Sequence, residues 1–186
     1  MKSNLIIGLS VFALGASMTA QAQVAMVNKA ISEPEVLSAQ QAWCKALVDI
    51  SAAHTSSGQP AAKALAEKVI DAAYGYQMGA VLFKPTLTVN PQTFRTTRAG
   101  ALSYFVGGDP AFPKDTGFAL KGWNKCEIAN AAIFIAGNSA TTLGKVNITG
   151  KDGKVTTVDK TWNFVKDDAG KLRIVVHHSS LEFAGS

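Results

Sequence analysis

Histidine and cysteine are scarce in this chain. The histidines are His54, His177 and His178, and the cysteines are Cys44 and Cys126. A three-histidine catalytic zinc site needs all three on one ion. His177 and His178 are neighbours in a strand-like run, where successive side chains point to opposite faces, so they should diverge. His54 continues a helical core stripe and reads as a helix-end residue. No Cys-x-x-Cys pair, Gly-x-Ser-x-Gly elbow, phosphate-cradling glycine loop or Asp-x-Asp cluster occurs. The formal charge is +5, but the basic residues are scattered from Lys63 to Lys171. No run of them interleaves with aromatics, which argues against nucleic acid as a partner.

Long apolar runs are missing too, except at the start. Lys2, the apolar stretch from Leu5 to Ala16 and the small-residue site Ala20-Gln21-Ala22 read as a signal peptide over residues 1–22, cleaved before Gln23. The run is shorter than the ~20 residues of an ordinary membrane span. The expectation is an exported protein, periplasmic or secreted, with no membrane attachment once the signal is removed. About 164 residues remain, enough for one domain with a full core. Export permits a disulfide between Cys44 and Cys126. The alternative is two buried thiols.

Residues 23–35 read as a leader and 36–186 as the domain. From Val36 the apolar spacing is helical: Val36, Trp43, Leu47 and Ile50 form one stripe. Gly58 stops that helix and Pro60 suits the first turn of a second. Leu65, Val69, Ala72, Ala73 and Tyr76 give its apolar face. Residues 80–86 read as a strand that Pro85 confines to an edge or end. Phe94-Arg95-Thr96 reads as a short strand, and Ala99 to Val106 as a short helix. Strands follow at about 119–137, 139–149, 154–166 and 171–182, separated by Gly and Asn/Asp turns. A bend or bulge is expected between Trp123 and Cys126. Helices followed by a strongly curved antiparallel sheet give an α+β fold, a cone with a pocket inside.

The last strand ends in His177-His178-Ser179-Ser180. Alternation places His177 with Ser179 on one face and His178 with Ser180 on the other. Leu172, Ile174 and Val176 share the face of His178, so residue pattern alone leaves open which pair lines the pocket. Tyr74, Tyr76 and Tyr104 read as packing, and Thr86 as an ordinary turn residue.

Three stretches together resemble a known family. They are Val81-Leu82-Phe83-Lys84-Pro85-Thr86; Phe94-Arg95-Thr96-Thr97 with Gly100 to Gly108; and Lys171-Leu172 through Ser180. They are similar to the iota-class carbonic anhydrases, which act without a metal. Those enzymes share the cone fold of SnoaL-like and nuclear-transport-factor-like domains, related to the association domain of calmodulin-dependent kinase. The resemblance implies interconversion of carbon dioxide and bicarbonate with no metal and no cofactor. It implies that Thr86, Tyr104, His177 and Ser179 carry the reaction. Phe83, Trp123, His178 and Ser180 are the further pocket candidates. In that picture the hydroxyls bind bicarbonate and a histidine takes the proton. A homodimer is expected. The same fold also hosts non-catalytic binding and subunit-association modules, so fold alone does not establish activity.

Overall fold

A computed structural model describes residues 29–185. The expected signal peptide and residues 23–28 of the leader lie outside the described residues. The first element is α1 (Glu33–Ala73), which carries a break at Gly58. Its start is set by Ser32, whose backbone N–H donates to the Glu35 carboxylate at 2.8 Å, and by Pro34 in the first turn. Pro34 therefore lies in the first turn, and the helix begins at Glu33, ahead of the expected Val36. Val36, Trp43, Leu47 and Ile50 are buried as the spacing predicts. Gly58 has φ 77°, a conformation that glycine adopts without a Cβ penalty, and the helix restarts at Pro60. In the second half the deepest line is Ala62, Ala66, Ile70 and Tyr74, with Leu65, Val69 and Ala73 flanking it. The small alanines bring this half close to the first. Trp43, Leu47 and Ile50 meet Ala66, Ile70 and Tyr74 around a recess shared with Phe105.

β1 (Leu82–Lys84) follows, then α2 (Arg98–Val106) and a single 3-10 turn, Phe118–Leu120. Four long strands complete the chain: β2 (Trp123–Ala136), β3 (Ser139–Gly150), β4 (Val155–Lys166) and β5 (Leu172–Leu181). β2 to β5 form an antiparallel meander, and β1 pairs in parallel with β5, so the sheet order is β1-β5-β4-β3-β2. The sheet is thus mixed, curled against α1 and α2. Phe94-Arg95-Thr96 is not a strand; Arg95 N–H donates to Phe83 O at 2.9 Å and its carbonyl accepts from the Tyr76 hydroxyl.

Register shifts mark where the sheet bends. Two lie in β2, between Trp123 and Lys125 and between Asn130 and Ala132. At the second, Gly144 of β3 passes so close that a Cβ there would sit 2.3 Å from Ala129 O. Only glycine fits that crossing. α1 is tied to β2 by the Cys44–Cys126 disulfide, with Cα atoms 5.2 Å apart. The buried Gln40 amide adds a reciprocal pair of hydrogen bonds to Asn130, at 2.9 and 2.8 Å.

Candidate active site

β5 holds the key to the site because it does not alternate strictly. Phe164 pairs with Ile174 and Asn163 with Val176, so Val175 is an extra residue. This bulge shifts the phase by one. Ile174 faces the core, and so do His177 and Ser179, which are 2% and 1% exposed. His178 is exposed and Ser180 half-buried on the other face. The structure therefore removes His178 and Ser180 from the expected pocket lining: strict alternation would have kept His178 in phase with Ile174.

The parallel pairing of β1 sets Phe83 beside His177 and Lys84 beside His178. The Phe83 ring stacks on the His177 imidazole, centroids 4.3 Å apart. The chain then runs through buried Pro85 to Thr86, whose hydroxyl meets that of Ser179 at 2.5 Å. Lys84 Nζ donates to the Ser179 carbonyl at 3.0 Å and helps hold the end of β5. α2, capped by the Thr97 hydroxyl, brings in Tyr104. Its ring meets Phe83 edge-on and stacks on Phe118. Its hydroxyl accepts from Leu87 N–H at 3.5 Å. Burial pushes the Tyr104 phenol up, against the hydrogen bonds from Leu87 and Thr86, so it stays a neutral donor.

Thr86, Tyr104 and Ser179 thus come together from three separate elements. In front of Tyr104 lies a cavity of about 180 Å³ bordered by Leu87, Lys114, Thr116, Phe118 and Lys121. Wider grooves of about 590 and 1000 Å³ run beside the disulfide and beside Arg98, but none of these hydroxyls lines them. Trp123 sits one ring further back: its indole N–H donates to the Phe118 carbonyl at 2.7 Å. It supports Phe118 rather than meeting the hydroxyls.

His177 has no free nitrogen. Nδ1 lies 2.8 Å from the Tyr74 hydroxyl and Nε2 lies 2.6 Å from Lys160 Nζ. Trp43 Nε1–H donates to the same Tyr74 oxygen at 2.9 Å. The chain Trp43–Tyr74–His177–Lys160 can run in two polarities. In one, Tyr74 donates to Nδ1 and Nε2–H donates to a neutral lysine amine. In the other, Lys160 donates to Nε2 and Nδ1–H donates to Tyr74. Burial pulls Lys160 down to about 7. Burial first, then the charge of Lys160, pulls His177 well below its usual value. The expectation that His177 takes a proton directly from water is corrected on this geometry, because both ring nitrogens are engaged.

The sequence patterns did not link Lys160, Tyr74 or Trp43 to His177, although the structure joins all four in one hydrogen-bonded chain. A sign of Lys160 was present: Val158, Lys160, Trp162 and Phe164 alternate along β4 and are all buried. Among the described residues no group of three His, Cys, Asp or Glu side chains is placed to hold a metal ion.

Comparison with known proteins follows the same lines. The family model described as metal-independent carbonic anhydrase matches residues 34–181. A metal-independent carbonic anhydrase from Nostoc sp. (strain PCC 7120 / SAG 25.82 / UTEX 2576) is 66% identical over 165 residues, covering 89% of this chain and 80% of the relative. The crystal structure of a cyanobacterial iota-carbonic anhydrase complexed with bicarbonate superposes with a TM-score of 0.85 at 66% identity, over 88% of this chain and all of that one. A chain described as a calcium/calmodulin-dependent protein kinase II association domain, from Xanthomonas campestris, shares the fold at TM-score 0.51 and 22% identity, over 88% of this chain and all of its own. With a family model spanning all but the ends of the described residues, this chain belongs to the metal-independent carbonic anhydrases.

Proposed function

We propose that the chain interconverts carbon dioxide and bicarbonate, with the hydroxyls of Thr86, Tyr104 and Ser179 holding the anion. The observation that carries this reading is the convergence of the three hydroxyls beside an apolar wall, Phe83. The bicarbonate complex of the cyanobacterial relative supports it. Carbon dioxide is apolar and suits the Phe83 side. As water attacks its carbon, charge builds on the carbon dioxide oxygens. Thr86 and Ser179, bonded to each other before substrate arrives, turn their O–H groups toward that charge, and Tyr104 adds a third donor. Donors fixed in a buried site stabilise such charge more than water does.

Ser179→Ala, Thr86→Val and Tyr104→Phe are each expected to lower stopped-flow hydration rates by on the order of 10²-fold, as for single oxyanion donors. Folding should survive, since each change leaves little cavity. A chelator should leave the rate unchanged. A Thr86→Val/Ser179→Ala protein with the full wild-type rate would overturn the reading.

Export and pairing belong to the same proposal. Phe134 and Leu143, 71% and 55% exposed on the outer sheet face, give a second copy an apolar surface. Native mass spectrometry of the exported protein should read a chain starting at Gln23, at twice the monomer mass. Retained residues 1–22 would refute export, and a monomer would refute pairing.

A further inference from the structure

Lys160 is buried to 4% exposure, yet no ion pair among the described residues includes it. A lone buried ammonium is costly and is normally kept only for a purpose. Its neighbours are not carboxylates. Trp43 and Trp162 present ring faces 4.8 and 5.3 Å from Nζ. From β5 the facing group is His177, with Tyr74 behind it at the end of α1. Lys84 of β1 turns to the Ser179 carbonyl, and Asp159 is exposed on the opposite face of β4. In the β4–β5 register Lys160 stands directly opposite Ser179, and both point inward. Opposed residues have Cβ atoms roughly 4.5–5.5 Å apart, so Lys160 is the cross-strand neighbour of Ser179 on the inner face, with its amine held at His177 Nε2.

We propose that the Lys160 amine takes the proton from the attacking water, and that His177 is the residue that positions it. The inference rests on the carbon dioxide reading above. In the polarity where Lys160 donates to His177 Nε2, the neutral amine has its lone pair free. Water oxygen bonds to the carbon of carbon dioxide, one C=O electron pair moves onto oxygen, and the water O–H bond breaks toward Nζ. Neutral amine, water and carbon dioxide become ammonium and bicarbonate, so charge and atoms balance. The ammonium still donates to Nε2 and stands beside the new anion until its proton passes to solvent. Hydration needs the amine and dehydration needs the ammonium. Because burial lowers Lys160 to about 7, the hydration rate should rise as pH climbs through that value, and dehydration should fall.

The test is stopped-flow hydration by the full chain between about pH 5.5 and 9. Lys160→Met is expected to lose on the order of 10²-fold in rate, together with the rise near neutrality. Lys160→Arg should be equally slow, since a guanidinium does not give up its proton in this range. His177→Phe removes the acceptor for the ammonium, so it should move the inflection downward. Lys160→Met with wild-type rate and profile would overturn the lysine's role and leave the hydroxyl site intact. A wild-type chain with no hydration activity would overturn both. Should Lys160→Met not fold, ¹⁵N titration of the wild-type lysine side chains decides: a Lys160 signal titrating at the ordinary lysine value overturns the proposal, and one near neutrality supports it.

Discussion

Replacing Arg95 with Met is expected to destabilise the fold by about 3–5 kcal/mol, the cost of leaving one member of a buried ion pair without its partner. The Arg95 and Asp115 side chains are 2% and 4% exposed. Their two hydrogen bonds form a fork, Nη2 to Oδ1 at 2.5 Å and Nε to Oδ2 at 3.0 Å. The same guanidinium donates to the carbonyls of Gln92 and Phe94 and lies over the Phe112 ring. It thus pins the loop after α2 to the segment after β1. Met fills the aliphatic volume but leaves the buried Asp115 carboxylate without its partner. Arg95→Met/Asp115→Leu should recover part of the loss, because the stranded charge is gone while the two carbonyls still lack their donor. Urea unfolding of the three proteins checks this. A single variant within about 1 kcal/mol of wild type would mean that solvent reaches Asp115. Asp115 also borders the cavity in front of Tyr104, so the single variant should lose hydration activity along with stability.

Opening the disulfide should have a comparable effect on stability and little effect on catalysis. Cys44 and Cys126 close a loop across a sequence separation of 82. For a loop of that size the chain-entropy estimate is about 4.5 kcal/mol, and measured losses usually fall at about 2–4. Cys44→Ala/Cys126→Ala should therefore lower the guanidinium midpoint strongly. The bridge joins α1 to β2, which supply none of Thr86, Tyr104 and Ser179, and Trp43 of α1 keeps its own contacts with Tyr74 and Trp162. The rate at 25 °C should stay within a few-fold of wild type while the folded state persists. A midpoint shift worth less than about 1 kcal/mol would show that the Gln40–Asn130 contact already holds the two elements together.

Much of the fold was legible because single residues punctuate it. Gly58 and Pro60 break the long helix where expected, and the turns at Gly137, Gly153 and Gly170 separate the four long strands with positive φ. β1 was harder to read. Three residues carry no periodicity, and their partner strand lies near the far end of the chain, so neither its length nor its parallel pairing is a local property. The deepest face of the second helical half was also misplaced, because alanines rather than Leu65 and Val69 line a close helix contact.

The meeting of the hydroxyls was legible in the sequence, and the contact of Lys160 with His177 was not. Thr86, Tyr104 and Ser179 stand in recognisable stretches. The choice of His177 over His178 turns on one extra residue, Val175, and a bulge leaves no mark in a run of β-branched residues. Lys160 escaped notice for a different reason. Lysine on a strand is read as solvent-facing by default, and only its phase with Val158, Trp162 and Phe164 says otherwise.

The pairing of β1 with β5 also fixes when activity can arise. β2, β3 and β4 meet their neighbours in order, each across a short turn, and need little chain to do so. β1 has one neighbour in the sheet, β5, which leaves the ribosome last among the strands. Thr86 and Tyr104 are synthesised early and have no Ser179 to meet until then. On the proposed site, a nascent chain is catalytically silent up to the moment Leu172–Leu181 is free to pair. Proteolysis that trims this one strand returns the molecule to that silent state while leaving the meander of β2, β3 and β4 behind.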